Sequence, residues 1–255
     1  MTNDKTTIAL VTGSSRGLGK NTALTLAKKG VDVVVTYNSS GDEAAKVVAE
    51  IESLGAKAIS LQLDTSNTKT FDSFVGQLQQ SLKDKWQTEH FDFLVNNAGT
   101  GVHSSFAETT EEDFDHLMNV HVKGVFFLTQ KLLPLINDGG RIVNVSTGLT
   151  RIISPGYAAY ASMKGAIETL TLYMAKELGA RRIAVNSVAP GAIETDFRGG
   201  AVRDNPEINK QIASLTALGR VGLPDDIGGA IASLLSEENK WVNAQRIEVS
   251  GGQCL

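Results

Sequence analysis

Seven short apolar runs alternate with helical stretches along the whole chain, and no other feature constrains its fold so tightly. Strands are expected at 7–12, 31–37, 57–63, 91–96, 140–146, 182–188 and 244–249. Helices are expected at 17–29, 41–54, 68–84, 111–137, 157–179, 206–216 and 224–236. The runs are near-continuous in Val, Ile and Leu, as in Val31-Asp-Val-Val-Val35 and Ile142-Val-Asn-Val145. Such runs suit parallel strands covered on both faces. Parallel strands joined through helices require right-handed crossovers, which gives a doubly wound α/β sheet. In that architecture ligands sit beyond the carboxyl ends of the strands. A length of 255 residues fits one such domain, spanning 1–255, with ample chain to bury a core.

Two motifs fall at strand ends. Thr7-Ile-Ala-Leu-Val-Thr12 leads into Gly13-Ser-Ser-Arg-Gly17-Leu-Gly19 and then into a helical pattern from Lys20 to Lys29. Strand, glycine-rich turn and helix in that order are the context of a dinucleotide site. Glycines let the backbone approach a pyrophosphate, and the helix start offers free N–H groups and a favourable dipole. The second motif is Tyr160-Ala-Ser-Met-Lys164, a phenol and an ammonium four residues apart in a helical stretch. At that spacing they share one face. A lysine beside a tyrosine favours the phenolate and lowers a pKa that is ordinarily about 10. A phenol so tuned exchanges protons near neutral pH.

Composition narrows the partners. The net charge of −4 is built from mixed signs, which argues against nucleic acid or an anionic membrane surface. One cysteine, Cys254, excludes an intrachain disulfide and a cysteine zinc site and fits a reducing compartment. There is no basic-then-apolar leader and no run long enough to span a bilayer, so the expected place is the cytoplasm. His90, His103, His116 and His121 lack metal-like spacing, and no metal site is expected. His103, in the loop after Asn96-Asn97-Ala98-Gly99, is a candidate substrate contact.

Taken together, the motifs resemble those of the short-chain dehydrogenase/reductase family over nearly the whole chain, which implies a Rossmann-type domain. Thr12-Gly-Ser-Ser-Arg-Gly17-Leu-Gly19 is similar to the family's cofactor turn. Asn96-Asn97-Ala98-Gly99 is similar to its N-N-A-G segment, Asn119 in Met118-Asn-Val-His-Val-Lys-Gly124 to its helix asparagine, and Pro190-Gly191-Ala-Ile193-Glu-Thr195 to its P-G-x-x-x-T loop. Tyr160-x-x-x-Lys164 is similar to its catalytic pair. The subfamilies it most resembles are 3-oxoacyl-(acyl carrier protein) reductase-like and glucose dehydrogenase-like. The resemblance implies that Tyr160 protonates the oxygen of a carbonyl receiving hydride, that Lys164 supports Tyr160 and holds a ribose, and that Asn119 supports a proton-relay water. It implies cofactor contacts at Gly13, Ser14, Ser15, Arg16, Gly17, Leu18, Gly19, Asp64, Asn96, Ala98, Gly99, Tyr160, Lys164, Pro190, Gly191, Ile193 and Thr195. It also implies a homotetramer with one interface on the helices at 111–137 and 157–179.

The end of the second strand, Thr36-Tyr37-Asn38-Ser39-Ser40, carries no carboxylate to hold a ribose 2′-hydroxyl. Tyr37, Asn38, Ser39 and Arg16 suit a 2′-phosphate instead, so NADP(H) is expected over NAD(H). Counting back from Tyr160, the family's serine position falls on Thr147, with Ser146 one place earlier. Neighbours on an extended segment point to opposite faces, so only one can meet the substrate oxygen. Spacing favours Thr147; a local shift would favour Ser146. The segment 193–220, with glycines at both ends, reads as a substrate lid, and Tyr157 as a further pocket residue. The expected activity is reduction of a ketone or 3-oxoacyl substrate, with a sugar or polyol dehydrogenase as the alternative. A non-catalytic NADP(H) sensor is the alternative of another class, against which the intact Tyr160–Lys164–Asn119 set speaks.

Overall fold

The computed structural model describes residues 6–255. Its seven strands are β1 (Ile8–Val11), β2 (Asp32–Tyr37), β3 (Ala58–Gln62), β4 (Phe91–Asn96), β5 (Ile136–Val145), β6 (Ala184–Pro190) and β7 (Arg246–Val249). They form one sheet in the order β3-β2-β1-β4-β5-β6-β7, and every pairing is parallel. The order reverses between β1 and β4, and that crevice is where such sheets bind ligands.

Alternation along the strands explains the two-sided burial. Ala9, Val11, Val33 and Val35 pack with Leu26, Val47, Ile51, Ile227 and Ile231 on one face. Ile8, Leu10 and Val34 pack with Phe71, Leu78, Leu82, Leu128 and Leu132 on the other. The first face carries α1 (Gly17–Lys28), α2 (Gly41–Ser53) and α9 (Pro224–Leu234). The second carries α3 (Phe71–Trp86), α5 (Gly124–Leu132) and α6 (Ala158–Glu177).

Two expected elements differ. The helix expected at 111–137 is α4 (Glu111–Met118), a π turn at Asn119–Lys123, then α5. Gly124 explains the seam: a Cβ there would lie 2.1 Å from the Thr65 carbonyl oxygen and 2.9 Å from that of Asn119. The helix passes over the Thr65 backbone by lacking that atom, and the Gly124 N–H reaches back five residues to Asn119. The fifth strand starts at Ile136 rather than 140, because Ile136 already pairs with Phe91 before a register shift. Gly139, at φ +80°, and Gly140 absorb that shift.

The segment after β6 folds over the strand ends. Glu194 N–H donates to the Gly222 carbonyl and Gly222 N–H to that of Ala192, closing its base. Between them lie a turn at Phe197–Gly200, α7 (Ala201–Asp204) and α8 (Pro206–Ser214). The C-terminal segment returns to the same place. Gln253 Oε1 accepts from Ala192 N–H, the Gln253 carbonyl accepts from Arg151, and Cys254 N–H donates to Leu215.

Candidate active site

The glycine turn sits at the β1/β4 crevice. A Cβ at Gly13 would meet the Ala98 backbone at 2.9 Å, and one at Gly19 would meet the Gly13 carbonyl at 2.4 Å and Asn97 Nδ2 at 2.5 Å. Turn and N-N-A-G segment are therefore pressed together. Asn97 Nδ2 donates to the Thr12 and Gly13 carbonyls, and Thr12 Oγ1 accepts from the N–H groups of Asn97 and Ala98. The first turn of α1 carries no acidic residue, and its opening N–H groups precede the first intrahelical bond, Lys20 to Arg16. Thr195 reaches this turn, its Cβ within 3.9 Å of a Cβ placed on Gly17.

Of the expected cofactor residues, Ser14 and Asn96 are turned into the fold. Ser14 is fully buried; its hydroxyl donates to Val11 and accepts from Thr36 N–H, and its own N–H donates to Thr36. Ser14 thus fastens β1 to β2, and its hydroxyl proton is taken by the Val11 carbonyl. Asn96 also points inward, donating to Thr129 Oγ1 at 3.1 Å and Asn144 Oδ1 at 2.8 Å. The bonds that fasten the turn come instead from its neighbour Asn97 and from Thr12, motif residues outside the expected contact set. Asp64 Oδ1 holds Ser66 through its N–H and hydroxyl. Tyr37 lies against Gly41, and the Asn38 carbonyl accepts from Gln62. Arg16 is exposed and joins no ion pair among the described residues. Gly191 N–H joins β7 at Val249, and Ile193 bridges to Gly222.

Tyr160, Lys164 and Thr147 converge beyond the ends of β4 and β5, each under a tenth exposed. Burial pushes the Tyr160 phenol well above its ordinary pKa, and a hydrogen bond from Thr147 pulls it back in part. The expected lowering by Lys164 is not what this arrangement gives. Lys164 Nζ donates to the Val145 carbonyl at 2.7 Å and lies 5.9 Å from the Tyr160 ring centre. Burial lowers the lysine itself to about 8. Ser146 and Thr147 face opposite ways, as pleating requires. Ser146 Oγ donates to Glu168 at 2.6 Å, away from Tyr160, while Thr147 is the residue on the phenol.

His121, in the π turn with Asn119, completes the floor. It is buried, meets Tyr160 edge-on at 5.3 Å, and sits 2.7 Å from the Thr100 carbonyl through Nε2. Burial, then the nearby Lys164 cation, hold its pKa well below the usual value, so the ring is neutral. Above Tyr160 lies an aromatic cluster. Phe197 tilts over Tyr160 at 5.8 Å, and His103 meets Tyr157 edge-on at 5.0 Å. The Arg198 guanidinium covers the Tyr157 ring at 5.1 Å and bonds its hydroxyl. No group of three potential metal ligands occurs among the described residues, and no described helix is long and apolar enough to cross a membrane.

A glycine turn at the switch point of a parallel sheet, with a buried Tyr-x-x-x-Lys pair across the crevice, defines the short-chain dehydrogenase/reductase class. The comparisons agree. The sequence profile described as "Enoyl-(Acyl carrier protein) reductase" matches residues 13–253. The hydroxynaphthalene reductase-like protein Arp2 of Metarhizium brunneum is 37% identical over 256 residues, covering 96% of this chain and 94% of its own. Among solved structures, the promiscuous reductase LugOII, which catalyses keto-reduction at C1 during lugdunomycin biosynthesis, is 41% identical. It superposes with a TM-score of 0.92 over 98% of both chains. The angucycline C-6 ketoreductase LanV with bound NADP is 38% identical with a TM-score of 0.92, over 97% of this chain and 95% of its own. The chain belongs to the short-chain dehydrogenase/reductase family.

Proposed function

We propose that the protein is an NADPH-dependent ketoreductase acting on planar, ring-fused aromatic ketones. The observation that carries this reading is the buried Tyr160–Thr147 pair, with Lys164 behind it, facing the glycine turn across the crevice. The similar proteins are named for reduction of hydroxynaphthalenes and of angucycline ketones, and one of them holds NADP.

The residues fit the cofactor. The close contacts at Gly13 and Gly19 leave backbone, not side chain, facing the crevice, and the start of α1 offers N–H groups to a pyrophosphate. Tyr37, Asn38, Ser39 and Arg16, which joins no ion pair among the described residues, present donors and no carboxylate, which suits a 2′-phosphate. When bound, the nicotinamide supplies the hydride.

The chain's own residues handle the oxygen. Thr147 Oγ1 donates to the carbonyl oxygen and steadies the charge that grows there. The Tyr160 hydroxyl, kept protonated by burial, gives that oxygen its proton. Lys164, held on the Val145 carbonyl behind Tyr160, passes on the replacement proton, and Asn119 in the π turn holds the water that brings it. Phe197, Tyr157 and His103 give aromatic rings on which a flat ring system can pack beside Tyr160, which favours a ring-fused ketone over a sugar. We place the protein in the cytoplasm, in keeping with its free Cys254, and read it as a homotetramer joined through the exposed Phe126, Phe127, Leu172 and Tyr173 of α5 and α6.

Steady-state assays with 2-tetralone, a 3-oxoacyl thioester and glucose, each with both cofactors, test the reading. Reduction of the tetralone is expected, with kcat/KM for NADPH at least about tenfold above that for NADH, a gap of about 1.4 kcal/mol. Replacing Tyr37 with Asp should narrow it. A native preference for NADH would sink the cofactor assignment; NADPH binding without turnover of any ketone would leave a binding protein.

A further inference from the structure

Behind Thr147 lies a polar network that the proposed chemistry does not use. Its centre is Glu168, on α6, at i+4 from Lys164 and i+8 from Tyr160. Glu168 Oε1 accepts from Ser146 Oγ at 2.6 Å, from Thr150 Oγ1 at 2.8 Å and from Arg246 Nε at 2.8 Å. Two of those donors also reach the carbonyl of Thr147: Thr150 Oγ1 at 3.0 Å and Arg246 Nη2 at 3.4 Å. Thr150 has one proton for its two acceptors, and Arg246 Nη2, 3.0 Å from Thr150 Oγ1, fills its lone pair. Arg246 extends the network to Glu248, which Arg151 grips through two nitrogens. Glu168 and Arg246 side chains are only 20% and 26% exposed, so water competes weakly for these bonds.

We propose that Glu168 is a positioning residue for the reaction. Its carboxylate gathers Ser146, Thr150 and Arg246 into one fixed arrangement, and that arrangement sets the backbone of Thr147 so that the threonine hydroxyl faces Tyr160. The proposal rests on Thr147 and Tyr160 acting on the carbonyl oxygen as described above. Without the carboxylate, two hydroxyls and a guanidinium lose their common acceptor, and Arg246 is drawn to Glu248 alone. The turn at 146–150 then loosens, while the glycine turn, which none of these bonds touches, keeps its shape. The effect should therefore appear in kcat and not in NADPH affinity.

A double-mutant cycle over Glu168→Ala and Thr147→Val separates this from a role in holding the fold, because residues acting through one another are not additive. In the native background Glu168→Ala is expected to lower kcat by about tenfold or more, the scale of a small misplacement of a reacting group. In the Thr147→Val background the same change should cost less than about twofold. Glu168→Gln keeps one acceptor and the volume, should recover part of the loss, and takes the alanine variant's place in the cycle if that one does not fold. Equal losses in both backgrounds would overturn the proposal. A second readout needs no turnover: the Thr147 methyl signal in threonine-methyl-labelled protein, assigned by its absence in Thr147→Val. It should shift or broaden when Glu168 is replaced, and an unmoved signal would overturn the proposal. If no ketone is reduced by the native protein, the ketoreductase reading fails, and the methyl signal alone decides the place of Glu168.

Discussion

At the scale of single residues, the site is built from neighbours that point opposite ways. Ser146 turns to Glu168 and Thr147 to Tyr160; Asn96 turns into the sheet and Asn97 onto the glycine turn. Tyr160→Phe removes a hydroxyl and almost no volume, and turnover should fall by about 10² or more, with NADPH affinity nearly unchanged. Retention of most activity would refute its role as proton donor. Lys164 predicts a pH dependence. Burial lowers it to about 8 in the native protein, whereas an unfolded lysine keeps its proton to about 10.4. Between those values the unfolded chain holds more protons, so native stability gains as pH rises, by up to about 3 kcal/mol. Below about 8 the buried charge is a constant cost. Lys164→Met abolishes this dependence. The stability difference between variant and native protein, followed by urea unfolding, should move toward the native protein from pH 7 to 10; a pH-independent difference would refute the lowering of Lys164 by burial. The motif residues and their strand ends were legible in the sequence. Which way each side chain faces was legible only for Ser146 and Thr147, where spacing to Tyr160 set the pleat. For Asn96 and Asn97 nothing in the order of letters says which lies inward. Glu168 was invisible because a glutamate in the middle of a helix reads as solvated, and its three donors come from segments far apart in the chain.

At the scale of elements, the departure with most consequence is the π turn between α4 and α5. The apolar pattern runs unbroken from Glu111 to Ile136, so periodicity alone gives one long helix. The cause of the break lies in another segment, the Thr65 carbonyl under Gly124. Helix propensity says Gly124→Ala should stabilise by about 1 kcal/mol. The 2.1 Å approach to Thr65 says the reverse, and the crowding should prevail with a loss of about 1–3 kcal/mol. Chemical denaturation decides the sign. Because Asn119 and His121 sit in that turn, turnover should fall with stability. The early start of β5 was hidden for a similar reason. Gly139-Gly140 reads as a turn, and only the pairing of Ile136 with Phe91 shows that the strand has already begun.

At the scale of the whole molecule, the doubly wound architecture follows from composition of the strands, and the sheet order places every motif on one rim. On α5 and α6, Phe126, Phe127, Leu172 and Tyr173 are apolar side chains each at least 40% exposed. Light scattering at micromolar concentration should give a tetramer mass. Leu172→Glu with Tyr173→Lys should shift it toward smaller species; a native monomer would reject the assembly. Gln253 ties the loop after β5, the loop after β6 and, with Cys254, the end of α8. Three loops that rim the crevice thus share one fastener, so a cut in the chain between β7 and Gln253 would release all three together while every strand of the sheet kept its neighbours.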